Sequence, residues 1–247
     1  MRRFEQHNGG VGSKHATEPE ALAQDQSAIA LREEMVAQLI RHGVIESGAV
    51  AAAMASVPRH VFVPHISLKE SYADEAVIVR VSPEGRALSS ISQPTMVARM
   101  LERLDVQMGH RVLEIGTGTG YNVALLASLV GPNGLVVSVE LEERLGEEAR
   151  EKLTELGINP VELVVGDGRE GWPPRAPYDR IIVTAGADDV AEAWTEQLVE
   201  GGRVVLPIVD GYGSGWVHVL EKREGELVGQ AEMACGFLPI RNKAQDG

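Results

Sequence analysis

Cysteine is nearly absent from this chain of 247 residues: Cys235 stands alone, so no internal disulfide can form. The N-terminus lacks the apolar stretch of a secretory signal, and the expected address is the cytoplasm. Aromatic residues make up only 4% of the sequence. No apolar run approaches the roughly 18 residues needed to cross a bilayer, so a membrane-spanning helix is not expected. Basic residues are also outnumbered, 23 Lys and Arg against 36 Asp and Glu, for a formal net charge of −13. A surplus of that size repels phosphate backbones over about a Debye length, which argues against nucleic acid as a partner. What is present is 44% hydrophobic residues, enough to fill one core. One large α/β domain, or a domain with a small cap, acting as a monomer, is the expectation.

Residues 1–27 are polar, with too few apolar groups to offset the entropy of ordering, and read as a flexible tail. From Ile29, the residues Met35, Val36, Leu39 and Ile40 recur at helical spacing, and Gly43 stands where a left-handed C-cap belongs. A second short helix is expected to start near Ser47, an N-cap candidate, and to stop before Pro58. Residues 28–85 therefore predict a small helical cap, continued to 94 by a substrate-side segment. From Thr95 to 247 the pattern becomes alternating helices and apolar strands, the mark of a parallel sheet covered on both faces. Met96, Val97, Met100, Leu101 and Leu104 define one helix face. Strands are predicted at 111–115, 135–139, 161–165, 180–184 and 203–207, with a helix after each of the first four. A hairpin follows, turning near Glu224 and Gly225. The fold class is Rossmann-like α/β, a doubly wound, mostly parallel sheet with a C-terminal antiparallel hairpin.

The segment LEIGTGTGYN (113–122) places Gly116, Gly118 and Gly120 between the first strand and its helix. The spacing G-x-G-x-G does not meet the G-x-G-x-x-G of dinucleotide enzymes. Glu114 sharpens the distinction, since a carboxylate would oppose a pyrophosphate but suits the cationic amino-acid end of S-adenosylmethionine, directly or through water. Glu140 ends the second strand, where an acid can accept hydrogen bonds from ribose hydroxyls. It could equally serve the dipole of the following helix. Asp167, between Gly166 and Gly168, suits a backbone held close to an adenine ring; an Asx turn is the alternative. These signals fall on consecutive strand ends at one sheet edge, where open α/β sheets bind ligands. With Thr117, Asn122, Leu141 and Thr184 they make up the expected S-adenosylmethionine site of a class I methyltransferase.

At this point the chain resembles the protein-L-isoaspartate O-methyltransferase family over roughly residues 28–241. The resemblance rests on MVAQLIRHGV, VPRHVFVP (57–64), Tyr-Ala-Asp (72–74), ISQP (91–94), VLEIGTGTGYN, GDGREGWP, APYDRIIVTA (176–185), GGRVVLPI and FLPIR (237–241). It implies methylation of the free carboxylate of an isoaspartyl residue in a protein or peptide, whose ester collapses to a succinimide, and it places Ser92 on the active-site serine. Ser90 is a second candidate, and Ile91, Gln93 and Pro94 would form the substrate side. The chain departs from the family pattern in a longer VSPEGRA segment, in Leu88-Ser89-Ser90 before Ile91, and in AGADDVAEAW with Gly186. These variants are similar to a branch associated with ribosomally made peptides, in which a normal aspartate is methylated and cyclises to an aspartimide. A non-catalytic cofactor-binding module and a nucleic-acid methyltransferase are the other readings.

A carboxylate is already ionised at neutral pH and needs no strong base, so the enzyme must supply alignment and exclusion of water. Ser90 and Ser92 could orient it; alternatively, the serines cap the helix after Pro94. His60 and His65 lack partners at ligand spacing, so no metal is expected. Trp172 and Trp194 read as core or rim residues, and the runs at Glu142–Glu143 and Glu147–Glu148 as a solvated helix face.

Overall fold

The computed structural model describes residues 18–241, with side chains from residue 25 onward. Order begins earlier than the apolar pattern suggests. Helix α1 runs Glu18–Arg41, so residues 18–27 of the expected tail are helical; residues 1–17 lie outside the described residues. The segment EALAQDQ is rich in strong helix formers, and extending a helix already anchored downstream adds one hydrogen bond per residue without a new nucleus. Met35, Val36 and Leu39 are buried, whereas Ile29 and Ile40 lie exposed on the outer face. Gly43 takes a left-handed φ of 64°, and helix α2 (Gly48–Ser56) is capped by the Ser47 side chain accepting from Val50 N–H. A single turn, α3 (Leu68–Ser71), follows with a capping box between Ser67 and Glu70.

The cap is not wholly helical. Strands β1 (Val77–Val81) and β2 (Ala87–Ile91) form an antiparallel hairpin, and the VSPEGRA insertion supplies its turn, closed by Ser82 N–H donating to Arg86 O. Helix α4 (Pro94–Leu104) then leads into β3 (Arg111–Ile115), α5 (Tyr121–Val130), β4 (Leu135–Glu140), α6 (Glu143–Glu155) and β5 (Val161–Val165). After β5 the predicted crossover helix is replaced by two short 3-10 turns, because glycines 166, 168 and 171 and prolines 173 and 174 interrupt any α-helix there. Strand β6 (Tyr178–Val183) and the five-residue helix α7 (Glu192–Glu196) precede β7 (Leu198–Val209), β8 (Ser214–Arg223) and β9 (Glu226–Gly236).

The seven-stranded sheet has the order β5-β4-β3-β6-β7-β8-β9. Pairing is parallel from β5 to β7 and antiparallel through β8 and β9, with Glu224 and Gly225 at positive φ in the final turn. The chain reverses direction across the sheet between β3 and β6, and this switch point opens a crevice at the strand C-termini. Cap residues Met35, Leu39, Met54 and Phe62 share one apolar cluster with Val97, Leu101, Leu125 and Val205 of the body. The cap thus packs against the body through a shared apolar core. Among the described residues no helix is long and apolar enough to cross a membrane.

Candidate active site

A cleft of about 210 Å³ occupies the switch point. Its floor is the glycine loop, held by side chains of the adjoining strands. Gly118 N–H donates to Glu140 Oε2 (2.8 Å) and Glu142 N–H to Glu140 Oε1 (3.1 Å). Glu140 therefore lines the cleft and also accepts from the residue that precedes α6. Burial raises its pKa, against the lowering effect of the amides. Thr117 and Ser138 hydroxyls lie 2.6 Å apart, and Thr184 Oγ1 lies 2.6 Å from Gly116 O and 3.1 Å from Ile115 O.

Twelve of the expected residues line the cleft: Ser90, Ile91, Ser92, Gln93, Gly116, Thr117, Gly118, Asn122, Glu140, Leu141, Gly168 and Thr184. Five do not. Glu114 is fully buried behind the loop, accepting from Ser138 Oγ (2.5 Å) and Asn122 Nδ2 (2.8 Å). Among the described residues Asn122 links it directly to the cleft, and Ser138 links it through Thr117. Gly120 packs on Ala149 and Phe62, where a Cβ would come within 3.2 Å of Ala149 Cβ. Gly166 faces Val139. Asp167 makes the Asx turn, its carboxylate accepting from Arg169 N–H at 3.0 Å. Pro94 is buried as the first residue of α4, setting the direction of the helix instead of meeting a ligand.

Burial pushes the Glu114 carboxyl up to about 7, with the Glu140 charge adding to the shift and the Ser138 and Asn122 bonds opposing it. A carboxyl with a raised folded-state pKa binds protons more tightly folded than unfolded. Its contribution to stability is complete below the unfolded value and is lost as pH rises through about 7. Glu114→Gln keeps both hydrogen-bonding partners and removes this titration. The thermal midpoint of the variant is expected to fall less than that of the parent between about pH 5 and about pH 8. Parallel melting curves over that range would dismiss the buried acid as the cause.

The opposite wall comes from the β1–β2 hairpin and its continuation. Ser89 Oγ lies 3.7 Å from the point where a Cβ on Gly118 would stand, so Ser89 faces the glycine loop, and Ser90 and Ser92 line the same cleft. Neither Ser90 nor Ser92 caps α4. The N-cap residue is Gln93, without a side-chain bond, and the helix is capped from a distance by Asp74, which accepts from Thr95 N–H and Thr95 Oγ1, both at 2.7 Å. The serine hydroxyls are thus not consumed by the helix. Residues not anticipated as lining the site include Ser89, Tyr121, Leu145 and the Phe237–Arg241 tail. The tail docks through Gly186, whose N–H donates to Leu238 O and whose carbonyl accepts from Ile240 N–H. A Cβ at 186 would stand 2.4 Å from Val209 Cγ2, which accounts for glycine there. Arg241 and Arg80 both pair with Glu142, at 2.5 and 3.3 Å, tying tail and hairpin together at the cleft edge. Trp194 is buried and donates to Gly168 O at 2.8 Å, and His60 shares a 2.8 Å hydrogen bond with the Tyr72 hydroxyl.

This donor set fits S-adenosylmethionine. The glycine loop offers close backbone approach, Glu140 a nucleoside-side acceptor, and Ile115, Val139, Leu141 and Leu145 apolar cover; among the described residues Arg241 is the one Lys or Arg in the lining. That composition suits a ligand carrying positive charge and no phosphate.

Known proteins agree. The family model described as Protein-L-isoaspartate(D-aspartate) O-methyltransferase matches residues 30–245. A protein-L-isoaspartate O-methyltransferase of Methanopyrus kandleri is 44% identical over 210 residues, covering 85% of this chain and 90% of that protein. One of Opitutus terrae is 39% identical over 230 residues, covering 93% and 92%. A solved protein-L-isoaspartate O-methyltransferase superposes with a TM-score of 0.78 at 38% identity, over 84% of this chain and 65% of that one. A Plasmodium falciparum structure solved with S-adenosyl-L-homocysteine shares the fold, with a TM-score of 0.74 at 22% identity over 86% and 99%. With its switch-point cleft, glycine loop and ISQP wall, the chain belongs to the protein-L-isoaspartate (D-aspartate) O-methyltransferase family of S-adenosylmethionine-dependent enzymes.

Proposed function

We propose that Ser92, aided by Ser90, orients the free carboxylate of an isoaspartyl residue for methylation, on a polypeptide laid between the β1–β2 hairpin and the C-terminal tail. The observation that carries this reading is that residues 89–92 and the glycine loop line one cleft, with Ser89 set directly opposite Gly118. Bound S-adenosylmethionine supplies an electrophilic methyl group on a sulfonium. The residues of the chain hold, align and shield. Glu140, Thr117, Asn122 and Leu141 grip the cofactor, while Glu114 fixes Asn122 and Ser138 from behind. Ile91 and Gln93 shape the acceptor side. The serine hydroxyls donate to the carboxylate without forming an ion pair that would blunt its attack. We assign residues 28–94 to the acceptor side and 95–247 to the catalytic domain that binds the cofactor, whose C-terminal tail also borders the acceptor. The net charge of −13 and the lone cysteine support a monomeric enzyme of a reducing compartment acting on polypeptide and not on nucleic acid.

Two peptides of one sequence, one with isoaspartate and one with aspartate, test the assignment by mass spectrometry. The isoaspartyl peptide alone is expected to gain a methyl group and then lose methanol, giving the succinimide. Turnover of the aspartyl peptide instead would move the enzyme to the peptide-modifying branch, and a methyl group found on nitrogen or a hydroxyl would reject both.

A further inference from the structure

Arg59 is a buried cation that the reaction as described leaves without a purpose. It is 1% exposed, and no carboxylate pairs with it among the described residues. Burial lowers its pKa, offset in part first by the Tyr121 hydroxyl beside it and then by the more distant charge of Asp74, which is itself committed to Thr95. Nε donates to Ser71 O and Nη2 to Ser92 O, both at 2.8 Å, while the guanidinium lies 5.0 Å from the centroid of the Tyr121 ring. Nη1 is buried without a well-formed hydrogen bond. A guanidinium in this state is expensive, and an apolar side chain of similar volume would hold the same elements together at lower cost. Its contacts point to another use. Ser92 and Tyr121 both line the cleft, one at the acceptor wall and the other as the first residue of α5. Arg59 touches both from behind and anchors them to the end of α3.

We infer that Arg59 is a positioning residue for methyl transfer, holding the Ser92 backbone in register with the glycine-loop side of the cleft so that the Ser92 hydroxyl meets the acceptor carboxylate. The planar fork matters here, because one rigid group reaches two carbonyls and a ring face. Asp74 completes the clamp from the other end of the segment through Thr95. The motifs at 57–64, 72–74 and 91–94, far apart in sequence, thus converge on one four-residue stretch.

The inference rests on the role proposed for Ser92, and a double-mutant cycle separates the two. Arg59→Lys keeps the charge but loses the fork. It is expected to lower kcat about tenfold while leaving S-adenosylhomocysteine affinity within about twofold by calorimetry. Placed on Ser92→Ala, the same change should cost less than about threefold, because the group through which it acts is gone. Full multiplication of the two losses, retained kcat in Arg59→Lys, or a loss confined to cofactor affinity would each overturn the inference while leaving the Ser92 assignment intact. Ser92→Ala with undiminished kcat would remove that assignment and the inference with it. If Arg59→Lys does not fold, Arg59→Met takes its place in the cycle. Failure of both to fold would show a structural residue and overturn the proposal.

Discussion

Gly116→Ala is expected to weaken S-adenosylhomocysteine binding by two to three orders of magnitude at most, and by tens of fold at least, with the global fold retained. Gly116 has φ of +96°, well outside the small left-handed region open to other residues, and holding alanine there costs about 1–3 kcal/mol. A Cβ at this position would stand 2.7 Å from Thr184 Oγ1. That hydroxyl is not a free end, since it is held near Gly116 O and Ile115 O. Rotating it away forfeits a hydrogen bond worth about 1 kcal/mol. The sum, about 2–4 kcal/mol, corresponds to roughly 30- to 1000-fold in affinity. Strain in a strand-to-helix turn is most easily relieved by shifting the turn, and this turn is the wall of the cleft. The loss should therefore appear in binding more than in the thermal midpoint. Adding Thr184→Ala should recover the contact but not the φ penalty. Gly118→Ala, at φ of +54° with its nearest atom 3.7 Å away, should disturb the fold less, by about 1–2 kcal/mol. Affinity within threefold of the parent in Gly116→Ala would show that the glycine loop is packing alone.

How much of this site could be read from the sequence depends on how far its partners lie apart along the chain. The glycine loop, Glu140 and the strands that begin at Arg111 and Leu135 are legible because they obey local rules, a strand, a tight turn and a helix within a few residues. The hairpin Val77–Ile91 was not. Each of its strands has only five residues, and what defines them is pairing with each other, not a periodicity either shows alone. The same holds for the clamp around Ser92. Arg59 and Ser92 are 33 residues apart and Asp74 and Thr95 are 21 apart, so no pattern within a helix or strand announces them. Family resemblance pointed to the motifs without saying that they touch. For Glu114 the sequence offers a ligand contact made directly or through water, and the fold buries it behind Asn122 and Ser138, a depth that only tertiary structure sets. Gly186 looked like a departure from the family pattern. Packing against Val209 and the Leu238–Ile240 backbone makes it a requirement of this chain's own tail.

Ser92→Ala is expected to lower kcat for an isoaspartyl peptide by about 10- to 150-fold with S-adenosylhomocysteine affinity unchanged. The range follows from the loss of one hydrogen bond to a charged group, worth about 1.5–3 kcal/mol where water is excluded. A change of this kind is informative only if the fold survives it, and the structure gives a reason to expect that. No hydrogen bond of the Ser92 hydroxyl to the protein is found among the described residues, because Asp74 caps α4 and Arg59 takes the Ser92 carbonyl rather than the hydroxyl. The thermal midpoint should therefore hardly move, whereas a helix-capping serine replaced by alanine would cost about 1 kcal/mol of stability. Ser90→Ala should cost less activity, since Ser90 is paired within the hairpin opposite Ile78 and stands two residues farther than Ser92 from the Arg59 and Asp74 contacts. The split between kcat and KM adds a second test. If Ser92 aligns the carboxylate for in-line attack, most of the loss falls on kcat; if it serves only to hold the peptide, KM rises and kcat is preserved. Undiminished kcat with a lowered midpoint would give Ser92 a structural role only and leave the carboxylate to be oriented by backbone donors of residues 89–93 alone.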